Sequence, residues 1–74
     1  MRKLTKAEID KVLTLSNQMN VKFPMWRYGQ SFFNALYELY PEVADSIRGT
    51  ENDCFYSKHN RIIDTIKFIS IENN

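Results

Sequence analysis

Residues 26–41 read Trp26-Arg27-Tyr28-Gly29-Gln30-Ser31-Phe32-Phe33-Asn34-Ala35-Leu36-Tyr37-Glu38-Leu39-Tyr40-Pro41, and the fold turns on them. At 100° per residue, Tyr28, Phe32, Leu36, Leu39 and Tyr40 form one broad apolar face, with Phe33 at its margin. Ser31, Ala35 and Glu38 are assigned to the opposite side. The pattern predicts a helix from about Trp26 to Leu39. Gly29 falls on its buried side. A glycine there costs roughly 1 kcal/mol of helix propensity, so a close approach by another stretch of backbone is expected.

Working towards the N-terminus, Pro24 disfavours helix at Phe23 and Pro24, and residues 20–25 read as a connection. Before it, Thr5 opens another helix. Glu8 lies three residues on, which makes a capping box, and Leu4 and Ile9 occupy the two positions of a hydrophobic staple. Ile9, Val12, Leu13, Ser16 and Met19 share one face at helical spacing. Towards the C-terminus, Pro41 suits the first turn of a short third helix, followed favourably by Glu42. Val43, Ala44 and Ile47 are its apolar residues. Gly49 is the natural stop, and Arg48 sits where a cation is favoured. Thr50–Lys58 is a polar and aromatic loop. Asn60 is placed to cap a fourth helix with Ile62, Ile63, Ile66 and Ile69 on one face. Residues 65–71 are rich in β-branched and aromatic types, so a terminal strand is the alternative.

These segments predict an all-α fold, a small bundle of three to four short helices in one helical domain spanning residues 1–74. The core is expected to contain Ile9, Leu13, Phe32, Leu36, Ile47, Ile62 and Ile66. The alternative is an α+β fold with a short C-terminal strand, which needs a second strand that the sequence does not obviously supply.

A chain of 74 residues has room for one core, and such a core leaves only about 3–5 kcal/mol of net stability. Dense aromatic packing or self-association has to compensate. Cys54 is the only cysteine, which excludes a disulfide within the chain and a cysteine-rich zinc site. No metal and no cofactor are expected. No apolar run approaches the ~20 residues of a membrane span, and no secretory leader is read at Met1-Arg2-Lys3-Leu4-Thr5. With one unpaired cysteine, the expected compartment is the cytoplasm. Catalysis has little to work with. Cys54 and His59 are the sole thiol and imidazole, and a nucleophile–base pair also needs a third group to orient the base. Cys54 reads as a core filler beside Phe55, and the chain is not expected to be an enzyme.

The charge layout is dipolar. Residues 1–34 carry six basic side chains against two acidic ones, whereas residues 35–56 carry Arg48 against Glu38, Glu42, Asp45, Glu51 and Asp53. That suits a protein partner better than a nucleic-acid backbone, which favours a broad basic field. Nucleic-acid binding stays as the alternative, carried by Arg2, Lys3, Lys6, Lys11, Lys22 and Arg27. Two features read as contact sites. Trp26, Gln30, Asn34 and Tyr37 project within about 80° of one another along the second helix, a partner-binding stripe of the hot-spot type; the alternative is that its aromatics roof the core edge. Phe68 and Ile71 lie off the isoleucine face of the fourth helix, as a homo-oligomer contact or as a consequence of strand geometry. Arg48 and Asp53 are close enough in sequence to form a structural ion pair.

The stretch Arg27-Tyr28-Gly29-Gln30-Ser31-Phe32-Phe33-Asn34-Ala35-Leu36, followed by Pro41, Ala44, Ile47-Arg48-Gly49-Thr50, Asp53 and Phe55-Tyr56, resembles a pattern in short bacterial and phage proteins. It covers about thirty residues. Those proteins often carry Asp-Pro-Phe where this chain has Asp53-Cys54-Phe55, so a turn proline is missing here. The resemblance implies a shared fold and brings no activity with it. Small phage proteins without catalytic groups often bind and block a host protein. The expected function is therefore a small binding protein, a regulator or inhibitor acting on a host protein or on itself by protein–protein contact.

Overall fold

The computed structural model describes residues 2–55 and 59–71, the side chains of residues 59–61 excepted. Four helices follow one another: α1 (Lys6–Lys22), α2 (Tyr28–Leu39), α3 (Pro41–Ile47) and α4 (His59–Ile69). The fold is all-α, and no strand occurs among the described residues.

Each helix boundary has a local cause. The Thr5 side chain accepts from the Glu8 amide and the Glu8 carboxylate accepts from the Thr5 amide, so the capping box is complete. The helix then continues to Lys22, past the expected end near Asn20. Pro24 disfavours helix at the residue before it and at its own position, so Phe23 is the first position pressed out of the helix. Tyr40 is at once the last cap of α2 and the first of α3, at φ −139° and ψ 70°. Its amide donates to Leu36 and its carbonyl accepts from Val43 and Ala44. Pro41 follows at the first turn of α3, where no amide is needed. Gly49 ends α3 at φ +72°, a left-handed conformation that favours glycine.

The second helix is the hub, packing against α1, α3 and α4. Phe32, Leu36, Val43, Ala44, Ile47 and Ile69 are fully buried, and Ile9 and Ile62 nearly so. Leu13 and Ile66 pack against this core while partly exposed. Leu39, expected inside, is 39% exposed. It lies instead beside Ala7, Lys11 and Leu15 in a shallow groove against α1.

Ser31 and Ala35, assigned to the outer side of α2, are buried, because α1 packs there. The seam between these helices is polar. Asn20 donates to the Ser31 hydroxyl at 3.1 Å and to the Trp26 carbonyl at 3.3 Å, and the Tyr28 hydroxyl donates to Asn17 at 3.1 Å. The small side chains of Ser16, Ser31 and Ala35 are all buried. Ser16 Oγ is buried with no hydrogen-bond partner among the described residues.

The region expected to be helix or strand is helix through Ile69 and then makes a single parallel bridge between Leu4 and Ser70. The Leu4 amide donates to Ile69 at 2.7 Å, and the Ile71 amide donates to Leu4 at 2.9 Å. One bridging residue closes the two ends of the described chain onto each other, and Leu4 is wholly buried beneath it. On α4 the buried side is Ile62, Thr65 and Ile69, while Ile63 is 52% exposed. Ile63 therefore leaves the expected isoleucine face. The Thr65 hydroxyl donates to the Asn52 carbonyl at 2.9 Å and ties the loop to this helix. Asn60 is inside the first turn rather than at the cap, since the helix already includes His59. The part of the expected loop at residues 56–58 lies outside the described residues.

Candidate functional site

The outer flank of α2 meets the end of α3 and the following loop in an open cleft of about 490 Å³ lined by Phe33, Asn34, Tyr37, Arg48, Asp53 and Phe55. Phe33 and Phe55 form its floor, edge to face, with ring centroids 5.8 Å apart at 79°. That geometry sets the positive edge of one ring against the negative face of the other.

Arg48 crosses the rim. Its guanidinium lies 5.0 Å from the Tyr37 ring centroid and 5.5 Å from that of Phe33. Two aromatic faces thus hold one cation in place, each a favourable contact of about 0.5–1 kcal/mol at an exposed site. Arg48 also reaches Asp45, one turn earlier, at 3.4 Å.

The expected ion pair between Arg48 and Asp53 is not formed. Asp53 uses its carboxylate on the backbone instead, accepting from the Gly49 amide at 2.7 Å and from the Phe55 amide at 2.9 Å. The left-handed turn at Gly49 points that amide back into the loop, and a carboxylate two residues before an amide readily accepts from it. The Asp53 amide donates in turn to Thr50, and the Thr50 hydroxyl donates to Ile47. Asp53 therefore shapes the loop that carries Phe55, and the loop adopts its turn with Cys54 rather than a proline between them.

Of the expected stripe, Asn34 and Tyr37 come together in the cleft. Gln30 lies one turn before Asn34 on α2 and is partly exposed. Trp26 departs from the stripe, because α2 begins only at Tyr28. Its ring stacks on Phe23 instead, 4.3 Å between centroids at 16°. A helix extended back to Trp26 would lose this stack, and the Trp26 amide already donates to Phe23 in the turn. Phe33 and Phe55 are the site residues that sequence reasoning missed. Phe33 was legible as the margin of the apolar face next to the stripe; Phe55 had no periodic signal, being in a loop.

The other expected contact residues, Phe68 and Ile71, are 41% and 49% exposed. The Lys3 ammonium lies 5.4 Å from the Phe68 ring centroid. Cys54 is buried, with its thiol directed at the Gly29 carbonyl at 3.7 Å. The Gly29 backbone is thus contacted by a side chain, and no approach of another backbone stretch to it is described. The His59 side chain lies outside the described residues. Among the described residues no cluster of His, Cys, Asp and Glu could hold a metal ion, and no helix is long and apolar enough to cross a membrane.

The clearest electrostatic perturbation lies away from the cleft. The Glu8 carboxyl is held below its usual pKa, first by the Thr5 amide and then by Arg2, whose own pKa is raised chiefly by its hydrogen bond to Glu8. Arg2 also lies 5.4 Å from the Tyr40 ring centroid. This cation, one of the basic set read at the N-terminus, is engaged within the fold while its side chain stays 47% exposed.

Comparison with protein-family models, with curated proteins and with solved structures yields no match.

Proposed function

We propose that this protein is a small non-enzymatic binding protein, a regulator or inhibitor of bacterial or phage origin that acts in the cytoplasm by contact with another protein. The observation that carries the reading is the cleft: Tyr37, 44% exposed, stands beside Asn34 and an aromatic floor, with Arg48 already held over its ring. Tyrosine and arginine are the residue types that dominate binding energy at protein contacts. Both combine a large apolar surface with hydrogen-bonding groups. Arg48 loses little further freedom on binding, because two rings orient it beforehand. A partner side chain entering the cleft gains apolar contact with Phe33 and Phe55 and charge-assisted hydrogen bonds from the guanidinium.

The test is affinity capture from bacterial lysate, with and without nuclease, using the wild type and the Asn34→Ala/Tyr37→Ala variant. The expected outcome is a nuclease-resistant protein partner that the variant binds more weakly by about 1 kcal/mol or more, at nearly unchanged melting temperature. Loss of every partner on nuclease treatment replaces the reading with nucleic-acid binding. A melting temperature lowered by many degrees, with binding per folded molecule unaltered, makes the pair part of the core edge instead.

A further inference from the structure

A second surface lies at the turn from α1 to α2. Val21 and Met25 are 83% and 78% exposed, more than any other large apolar side chain among the described residues. Lys22, Pro24 and Arg27 are exposed as well, while Phe23 and Trp26 are partly buried. The turn is held at its base. The Phe23 amide donates to Met19, the Trp26 amide donates to Phe23, and the Asn20 side chain donates to the Trp26 carbonyl. The Phe23 and Trp26 rings stack, and the Lys22 ammonium lies 5.6 Å from the Phe23 ring centroid. The sequence has no acidic residue between Asp10 and Glu38. Glu38 shares a shallow groove with Lys22 and Phe23 but forms no ion pair with Lys22.

We propose that this turn docks on an anionic lipid surface. Side chains as exposed as Val21 and Met25 project from the protein rather than line a groove, so burying them takes a medium that yields around them. Acyl chains do so, and the lipid phosphates above them meet Lys22 and Arg27. Trp26 is of the residue type that concentrates at headgroup level, with an apolar body and a polar N–H. Charge favours the same occupant. Residues 21–27 contain two cations and no carboxylate, and most of the acidic residues of the chain follow Tyr37. An anionic surface is therefore attracted to this turn without local repulsion. A nucleic-acid strand would satisfy the two cations but not the aliphatic side chains, which offer no ring for a base to stack on. None of residues 21–27 lines the cleft on α2, so the lipid contact is independent of what the cleft binds.

Trp26 is the only tryptophan, so its emission reports on this turn. The test is co-sedimentation of the full chain with vesicles of mixed phosphatidylglycerol and phosphatidylcholine, and with vesicles of phosphatidylcholine alone. The expected result is binding to the anionic vesicles with Trp26 emission moved to shorter wavelength, and weaker binding to the neutral ones. Val21→Ser/Met25→Ser should weaken binding by about tenfold or more, and Lys22→Glu by about tenfold. All three positions are exposed, so the melting temperatures of the variants should match the wild type. Absence of binding to the anionic vesicles overturns the proposal. So does binding that leaves Trp26 emission unchanged, or that the aliphatic double variant retains in full, since either places the contact elsewhere. A polyuridylate strand that binds and shifts Trp26 emission where anionic vesicles do not assigns the turn to nucleic acid instead.

Discussion

The second and fourth helices have nearly the same length, 12 and 11 residues, yet they differ in how much of their circumference is covered. On α2 the buried residues Gly29, Ser31, Phe32, Phe33, Ala35 and Leu36 span an arc of roughly 200° at 100° per residue. On α4, Ile62, Thr65 and Ile69, with partly buried Ile66, span only about 100°. The difference lies in their neighbours. Three helices surround α2, whereas α4 rests on α2 with the Leu4 segment over its C-terminal end. Hydrophobic period gives the direction a helix faces, but the number of packing partners decides how wide the buried face becomes. The small residues Ser31 and Ala35 are inside because α1 arrives there, whereas Ile63 and Phe68 stay 52% and 41% exposed, with the Lys3 ammonium over the Phe68 ring.

The contrast is sharpest in core truncation. Leu36→Ala removes a fully buried side chain at the centre of the hub and should cost about 2–5 kcal/mol. That is most of the stability available to a domain of this size. Ile63→Ala on α4 should stay within about 0.5 kcal/mol. Denaturant melts at dilute protein concentration measure both, and comparable losses would erase the distinction between the two helices.

The next test concerns the side of α2 that periodicity alone left outside. Ala35→Leu should cost about 1–3 kcal/mol by forcing extra methylenes against α1. An exposed alanine would accept leucine with almost no change. A thermal melt of Ala35→Leu that matches the wild type would return this side of α2 to solvent.

The smallest expected effect is electrostatic and lies at the start of α1. The Glu8 pKa is lower in the folded chain than unfolded, so its contribution is present above the unfolded value and is lost as pH falls through the folded one. Acid should therefore loosen the first turn of α1, and Glu8→Gln should flatten that dependence. The pair lies at the surface, with the Arg2 side chain 47% exposed, so raised salt should weaken the part that comes from Arg2. Amide exchange at Glu8 and Ile9 as a function of pH measures the change. Exchange that is equally insensitive in wild type and variant would show the capping box to be independent of charge.

Much of the candidate site was legible before the fold was known. Asn34 and Tyr37 were placed together by helical spacing, and they meet in the cleft. Arg48 and Asp53 were also brought to one place, since Gly49 turns the chain there. Their partners were not legible. Asp53 bonds to backbone amides and Arg48 lies on rings contributed by α2. A pairing guess from opposite charge alone does not weigh backbone amides or aromatic faces, which compete for the same groups. Trp26 was misplaced by two residues of helix start, and its stack on Phe23 took it off the stripe.

By itself the sequence determined what depends on neighbours along the chain. Those features are the Thr5–Glu8 capping box, the Pro41 start and Gly49 stop of α3, and the four apolar segments of the bundle. Each rests on groups a few residues apart, whose geometry is fixed once the backbone turns. Tertiary structure alone decided the rest: α2 as the hub, burial of Ser31 and Ala35 against α1, the Leu4–Ser70 closure, and the cleft floor of Phe33 and Phe55. The cleft floor and the Leu4–Ser70 closure join residues far apart in sequence, and the packing of α2 on α1 and α3, though nearer along the chain, joins separate helices. Their free energy comes from which surfaces happen to exclude water together, and no local period records that.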